Sequence, residues 1–249
     1  YSQRYARHAG EGRPVGLPEG LTNVVVVGQA MDHDLVDTVP SALSGAAVGL
    51  GYSKDALVLL ATAQWLRNLG YQAVPSLNDT ALAIPLAIQA GLGEYGRHGL
   101  VITPEFGPRV RFGKIFTDLP VDHDAPVEFG VSEFCEVCRR CTDACPPKAI
   151  PDGAPSPVKL NRSTLKGVRK WSVDGEKCFS YWTQIVTDCM ICMRVCPYNK
   201  DFTKRRHRIG RRLASTGLRK VMLRLNDRLG YGERLKPRNW WAGATRRRL

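Results

Sequence analysis

All eight cysteines of this 249-residue chain lie in two runs, and this arrangement constrains the fold more than any other feature of the sequence. Both runs close with two cysteines separated by three residues, and a proline directly follows the second. Thiolates at such spacings can wrap around one soft metal centre, and the proline turns the chain away from it. The first run contains Cys135, Cys138, Cys141 and Cys145, and the second contains Cys178, Cys189, Cys192 and Cys196.

The first run matches the pattern of bacterial ferredoxins, in which the fourth cysteine ligates the other of two clusters. The sequence therefore predicts two 4Fe–4S clusters with crossed ligands. One cluster is assigned to Cys135, Cys138, Cys141 and Cys196, and the other to Cys178, Cys189, Cys192 and Cys145. Crossed ligation places the two clusters close together, which suits electron transfer between them.

Two other uses of the cysteines fit the sequence less well. Disulfide frameworks are typical of small secreted domains, whereas this chain has 249 residues. A structural zinc site usually takes two separated pairs of ligands, and such pairs do not account for two cysteine–proline endings. We therefore interpret the runs as iron–sulfur ligands.

The length allows one large domain or two modest ones, and a hydrophobic content of 43% is enough for a core. No uninterrupted apolar run reaches the roughly 18 residues typical of a membrane-spanning helix. The chain opens without an initiator methionine or the apolar region of a signal peptide, so we expect a fragment or a processed product.

Before the cysteines, strand and helix patterns alternate, which predicts an α/β or α+β fold. A helix is expected over Lys54–Leu69, with Ser53 as its N-cap and Gly70 at its end. Asp79 is expected to cap a further segment, in which Pro85 implies a kink or a late helix start. The expected strands are Val24–Val27, Tyr71–Val74, Leu100–Thr103 and Val110–Phe116.

The net charge of +13 comes from the end of the chain, because residues 201–249 contain 16 Lys and Arg against 3 Asp and Glu. A helix is predicted here, with an apolar stripe among arginines. The stripe consists of Leu213, Leu218, Val221, Leu225 and Leu229. We expect Leu218, Val221 and Leu225 to dock on the core. The arginines expected to face solvent include Arg205, Arg206 and Arg212.

A charge confined to a tail argues for one localised contact or none. Solvent-facing arginines suit an acidic electron-donor protein or anionic lipid headgroups, each cation contributing about 1 kcal/mol near a charged membrane. A solvated face without a partner is the alternative. Nucleic acid is less favoured, because no aromatic platform accompanies the basic residues.

Four stretches carry a family pattern: residues 51–121, residues 131–151, the second cysteine run with Trp182, and residues 226–241. They closely resemble reductive dehalogenases. The resemblance implies an α+β fold with a nitroreductase-like, corrinoid-binding core over residues 1–130. A ferredoxin-like module with two 4Fe–4S clusters follows over 131–203, and a basic C-terminal helix and tail over 204–249 pack on the core. Catalytic subunits of the family are longer at the N-terminus, so we expect this part to be missing.

The resemblance also implies an activity and its cofactors. A carbon–halogen bond of an organohalide is replaced by carbon–hydrogen, with two electrons, one proton and release of halide. The implied reductant is a cobalamin cobalt centre that receives electrons from the two clusters. The implied source of these electrons is an electron-donor protein or a membrane electron carrier. Two locations stay open: peripheral at the cytoplasmic membrane for an exported, respiratory protein, or cytoplasmic for a catabolic one.

The site residues implied by the resemblance are Tyr52 as proton donor, Arg111 as its basic partner and Asn78 as a pocket residue. A phenol has an unperturbed pKa of about 10, so it stays protonated until the reaction draws on it. For Asn78, a helix start is an equal alternative.

Three further residues are predicted to lie near the cofactor. Trp182 lines the pocket or is a core tryptophan. Gly91 and Gly93 form a turn that approaches either another backbone segment or the corrinoid, since their spacing is not that of a dinucleotide fingerprint.

Two other functions would fit part of the sequence. Epoxyqueuosine reductase has the same cofactors and acts on tRNA, which the basic tail would suit. However, its proton donor is an aspartate, whereas Tyr52 stands in a dehalogenase context. A non-catalytic ferredoxin would explain the cysteines but leave the first 130 residues without a role.

Overall fold

A computed structural model describes residues 16–78 and 80–243 of the chain. The contacts divide these residues into two compact units. The first takes in the described residues up to Gln29 together with Gly51–Leu92 and Arg111–Val127. The second takes in Ala30–Leu50, Gly93–Val110 and the described residues from Glu128 onward. Neither unit is continuous in sequence, and the division into three consecutive domains stays a prediction.

The first unit is built on a three-stranded sheet with the order β1–β5–β2. These strands are β1 (Asn23–Ala30), β2 (Ala73–Ser76) and β5 (Val110–Thr117). The central strand β5 runs antiparallel to β2, with Ala73 opposite Thr117. The strands predicted near residues 24 and 110 are confirmed, and the strand predicted at 71–74 lies two residues further along the chain.

The long helix α2 (Ala42–Asn68) covers this sheet, because its Leu59, Ala63 and Leu66 are buried against Ile115 and other apolar residues of the strands. The predicted stop at Gly70 is confirmed by its φ of +94°. The predicted start is wrong, since Ser53 lies inside the helix rather than at its cap. The Gly-rich segment before it is helical, and the tertiary packing of a long helix offsets the roughly 1 kcal/mol cost of each glycine.

By length and composition, α2 could also cross a membrane, which the count of uninterrupted apolar residues did not suggest. This is weak evidence, because the core helix of a soluble protein passes the same test. About a third of its most apolar window is buried, and Leu57 and Trp65 are exposed.

Two shorter helices belong to different units, α1 (His33–Asp37) to the second and α3 (Ala83–Gln89) to the first. Helix α1 begins at an N-cap, Asp32, whose side chain accepts the backbone N–H of Leu35 at 2.8 Å. Helix α3 has Pro85 in its first turn, which confirms the late start expected from that proline. The predicted cap Asp79 lies outside the described residues.

The second unit is mainly helical. It holds a two-stranded antiparallel pair, β3 (Glu94–Tyr95) and β4 (Val101–Ile102), which confirms the strand predicted at 100–103. The remaining helices are α4 (Val131–Cys138), α5 (Arg140–Ala144), α6 (Gly175–Ile185), α7 (Ile191–Arg194), α8 (Arg205–Ala214), α9 (Arg219–Arg228) and α10 (Pro237–Trp241). Its core centres on Tyr198, whose ring meets Phe129 and Phe134 edge to face.

The docking face predicted for the basic helix is wrong. Helix α9 buries Met222, Leu223 and Asn226. Three of the stripe residues expected to dock are exposed instead: Leu218, Val221 and Leu225. The helix has apolar residues on more than one face, and the sequence alone does not say which face the rest of the unit covers. Leu213 of α8 does pack against the core, and the arginines expected to face solvent are exposed: Arg205, Arg206 and Arg212.

Gly107 is the tightest glycine position in the second unit. Its φ is +59°, and a Cβ there would lie 1.9 Å from the carbonyl oxygen of Tyr198. Gly107→Ala should therefore lower the free energy of unfolding by at least about 2 kcal/mol, since neither backbone segment can move without disturbing the core.

The measurement is thermal unfolding of the variant beside a matched control. Gly210→Ala places a methyl inside α8, where no atom lies within 4 Å. It should be neutral or stabilise the protein by up to about 1 kcal/mol. Equal melting temperatures for Gly107→Ala and the wild-type protein would contradict the close approach.

Candidate active site and iron–sulfur centres

Three residues predicted for the active site meet in the first unit. Tyr52 lies on α2, Asn78 in the loop after β2, and Arg111 in β5. The Asn78 amide donates a hydrogen bond to the Tyr52 hydroxyl at 2.8 Å, and the Arg111 guanidinium donates a second at 3.3 Å. The guanidinium carbon also lies 4.5 Å from the centre of the Tyr52 ring.

This arrangement suits a phenol that gives up a proton. Because its oxygen accepts two hydrogen bonds, the hydroxyl hydrogen of Tyr52 remains available to another acceptor. After transfer, the two donors and the positive charge stabilise the phenolate. The alternative considered for Asn78, a helix start, does not fit, because Asn78 lies between β2 and the next helix at Ala83.

Asp55 is a residue of this site that the sequence analysis missed. It lies three residues after Tyr52 on the same helix, and only 1% of its surface is exposed. Burial raises the pKa of its carboxyl from the ordinary value of 3.8 to about 6, although the charges of Lys114 and Arg111 oppose the rise. The spacing of Tyr52 and Asp55 places both on one helix face, which could have drawn attention to it.

The strand β5 supplies the groups that face Asp55. Lys114 is fully buried and donates a hydrogen bond to the carbonyl oxygen of Leu77. At Gly113, a Cβ would lie 2.6 Å from an Asp55 carboxylate oxygen, so the glycine makes room for the carboxyl. Asp55 is therefore enclosed by residues of β5. The positive charge of Arg111 acts on the Asp55 carboxyl, and the same guanidinium donates a hydrogen bond to the Tyr52 hydroxyl.

Four cysteines of the second unit line one cavity: Cys135, Cys138, Cys141 and Cys196. The first three come from α4 and α5, which are joined by Arg139 with a φ of +54°. This left-handed residue turns the chain sharply between Cys138 and Cys141. The fourth arrives from the second run, so the cavity contains the same four residues that the sequence assigned to one cluster.

The other four cysteines also lie near one another. Burial raises the pKa of Cys192, and the nearby thiols of Cys141, Cys189, Cys178 and Cys145 raise it further. Cys178 lies on α6 and Cys192 on α7, and both pack against a buried cluster that contains Cys141 and Cys145. The assignment of these four cysteines to one iron–sulfur cluster stays a prediction.

The donor chemistry fits iron–sulfur clusters. All eight cysteines are free thiols. Burial raises the pKa of Cys135 and Cys141 to about 12 and that of Cys138 to about 11, so iron must displace the protons when it binds. Among residues 16–78 and 80–243, no three metal-binding side chains lie close enough together to hold a single metal ion. An iron–sulfur cluster is larger than one ion, so its thiol ligands lie further apart.

Two residues beside the first cysteine cavity were also missed by the sequence analysis. Arg97 and His98 line it, although their chain segment precedes both cysteine runs. Both are nearly buried, and burial lowers the pKa of His98 to about 4, so the imidazole is neutral at pH 7. They directly follow the Gly91–Gly96 segment, whose glycines alone were used in the sequence analysis.

Close backbone packing accounts for the two predicted cofactor-binding glycines. A Cβ at Gly91 would lie 2.7 Å from the carbonyl oxygen of Ala125, and one at Gly93 would lie 2.2 Å from that of Ile102. This supports the first interpretation, in which backbone approaches backbone. Contact of either glycine with a corrinoid stays a prediction.

Trp182 lies on α6, one turn after Cys178. Its ring centre is 6.3 Å from that of Phe179. Burial raises the pKa of the Cys178 thiol, and a hydrogen bond from the Trp182 side chain opposes that rise. The tryptophan therefore lies beside the second cysteine set. A position in the substrate pocket stays a prediction.

Comparison with known families defines the class of the protein. Residues 134–199 match the model of a 4Fe-4S double cluster binding domain. The chain is therefore an iron–sulfur protein with two 4Fe–4S clusters. Residues 13–121 match the model of a reductive dehalogenase subunit. This second match rules out the plain ferredoxin, in which that part of the chain would have no role.

Individual relatives agree with the family models. The chain is 36% identical over 228 residues to tetrachloroethene reductive dehalogenase from Sulfurospirillum multivorans. The match covers 91% of this chain and 46% of that protein. It is 44% identical over 182 residues to the enzyme of that name from Desulfitobacterium hafniense. That match covers 72% of this chain and 33% of the relative. The chain belongs to the reductive dehalogenase family, and it spans between a third and a half of the length of these relatives.

A solved reductive dehalogenase has the same fold over most of the chain. It superposes with a TM-score of 0.74 at 27% identity, covering 85% of this chain and 31% of that one, and its structure is described as suggesting a mechanism for B12-dependent dehalogenation. Epoxyqueuosine reductase from Lactococcus garvieae is a more distant match, at 32% identity over 147 residues and 52% of this chain. The observed fold mixes helix and sheet, as the predicted α+β class requires.

The buried carboxyl of Asp55 gives stability a specific pH dependence. Because its pKa is higher in the folded protein than in the unfolded chain, the stability it contributes is fully present below pH 3.8 and is lost as the pH rises through 6. Asp55→Asn lacks this titration. The stability of the variant relative to wild type should therefore rise with pH, by about 3 kcal/mol across that interval.

The measurement is thermal unfolding of both proteins between pH 3.5 and pH 7. The control is Asp122→Asn, which removes an exposed carboxylate of the same unit and should show no such trend. A constant difference between Asp55→Asn and wild type over the whole interval would show that the carboxyl is not held in the buried state described.

Proposed function

We propose that this protein carries out reductive dehalogenation, in which a carbon–halogen bond of an organohalide is replaced by carbon–hydrogen. The observation that carries the proposal is the hydrogen-bonded group of Tyr52, Asn78 and Arg111 in a chain of this family. Two electrons and one proton are consumed, and halide is released. Bound cobalamin would supply the reducing cobalt centre for the carbon–halogen bond.

Tyr52 is the proposed proton donor. Its hydroxyl proton is free of the two hydrogen bonds that the oxygen accepts, and those bonds hold the ring in one orientation. Arg111 lies over the ring face and balances the charge left on the oxygen. Asn78 orients the hydroxyl and lines the pocket.

The two clusters deliver the electrons. We assign Cys135, Cys138, Cys141 and Cys196 to the first cluster, because these four line one cavity. The remaining four are assigned to the second: Cys145, Cys178, Cys189 and Cys192. An outside electron donor would then reduce one cluster, which passes electrons to the other and on to the cofactor.

The finer architecture is part of the same proposal. A nitroreductase-like core would hold the corrinoid, and the ferredoxin-like module would follow it in sequence. The three-stranded sheet with α2 packed on it supports such a core. The exposed arginines and leucines of α8 and α9 support a contact with an electron-donor protein or a membrane surface.

Tyr52→Phe tests the proton donor. The substitution keeps the ring and its cation–π contact but removes the acidic proton, so halide release should fall by about 10²–10⁴-fold. Cobalamin and cluster spectra should stay as in the wild-type protein. Turnover is measured anaerobically in the reconstituted protein, with a panel of chlorinated and brominated aromatics and alkenes.

The matched control is Tyr71→Phe, which removes a hydroxyl of the same unit outside the hydrogen-bonded group. It should keep wild-type activity. Arg111→Leu should lower turnover as well, because the phenolate loses its counter-charge. Near-normal halide release by Tyr52→Phe would exclude it as the acid.

Crossed ligation is tested by alanine variants compared in pairs. Wild-type protein should contain about eight irons per chain, and each variant should lose one cluster. If the ligands cross, the electron paramagnetic resonance spectrum of Cys196→Ala matches that of Cys138→Ala, and the spectrum of Cys145→Ala matches that of Cys192→Ala. A match of Cys196→Ala with Cys192→Ala instead would assign each run its own cluster.

A further inference from the structure

His98 has a fixed tautomer. Its Nδ1 accepts the backbone N–H of Leu100 at 3.2 Å. A neutral imidazole has one donor and one acceptor nitrogen, so the remaining proton is on Nε2. Only 6% of the residue is exposed, so bulk water hardly reaches the ring nitrogens.

The protonated Nε2 has no hydrogen-bond partner among the described residues. A buried donor without an acceptor is unfavourable and is uncommon in folded proteins. His98 lines the cavity that also holds the four thiols of the first cysteine set. A ligand in this cavity that accepts hydrogen bonds would remove the deficit.

The neighbouring Arg97 is held rigidly beside the same cavity. Its Nε donates to the carbonyl oxygen of Cys135, and one terminal nitrogen donates to three successive carbonyl oxygens, all at 3.0 Å. These carbonyls belong to residues 151–153. The guanidinium also stacks over Trp171 at 4.8 Å. Its positive charge is therefore close to the thiols and cannot move away from them.

We propose that His98 donates a hydrogen bond from Nε2 to a sulfur of the first cluster, and that this bond, with the charge of Arg97, raises the reduction potential of that cluster. The proposal rests on the cluster assignment made above, and it does not depend on dehalogenation. Reduction makes a cluster more negative, so donors and cations near its sulfurs favour the reduced form.

The main test compares midpoint potentials in the reconstituted protein. His98→Leu removes the donor, and His98→Gln keeps an N–H group of similar reach. The first cluster should become about tenfold harder to reduce in His98→Leu, a fall of about 59 mV for one electron. His98→Gln should recover part of the difference, and the second cluster should be unchanged. Signals are assigned with the cysteine variants described above.

His207→Phe is the matched control, because His207 is also nearly buried but both of its nitrogens have partners. Nδ1 lies 2.6 Å from the carbonyl oxygen of Asp201, and Nε2 lies 3.0 Å from the Tyr231 hydroxyl. This variant should leave both potentials unchanged. A change in the first potential as large as that of His98→Leu would show that any buried histidine has this effect, and would overturn the proposal.

A measurement on the wild-type protein needs no substitution. Protein labelled with ¹⁵N-histidine should show a nuclear coupling to the reduced first cluster, together with an exchangeable proton in D₂O. Absence of both couplings would overturn the proposal, even if the His98 variants fail to assemble. Absence of two 4Fe–4S signals in the wild-type protein would refute the cluster assignment instead, and the two failures are thus distinguishable.

Discussion

One buried guanidinium, that of Arg97, connects the wall of the first cysteine cavity to other segments of the second unit. It donates hydrogen bonds to the carbonyl oxygen of Cys135 and to three consecutive carbonyl oxygens of residues 151–153. Trp171, which stacks beneath it, donates its own indole N–H to Gly153 at 3.0 Å. Because a buried cation must have its donors satisfied, these segments cannot separate without a large electrostatic cost.

The sequence predicted the parts of the site that depend on local spacing. The spacing between thiols predicted the two cysteine sets, and the four thiols of the first set line one cavity. The active-site group came from a family pattern, since residues as distant as Tyr52 and Arg111 have no local signal that joins them. Asp55 and His98 were missed because burial, not residue type, makes them unusual, and burial depends on segments remote in sequence.

Errors in the fold have similar causes. The start of α2 was placed too late because a Gly-rich segment has low helix propensity, and tertiary packing decides its conformation. The wrong face was chosen for α9 because its leucine stripe is the more apolar one, while the surrounding unit covers Met222 and Asn226. In both elements, local preference and the final environment disagree, and the environment determines the result.

The walls of the first cysteine cavity come from chain segments that a ribosome makes at different times. Cys135, Cys138 and Cys141 are synthesised before Cys196, Pro197 and Tyr198, which complete the enclosure. A nascent chain that ends before Tyr198 lacks both the fourth thiol and the ring on which Phe129 and Phe134 pack. Cofactor insertion must therefore wait until this segment has been synthesised, which leaves three thiols exposed to oxidation in the meantime.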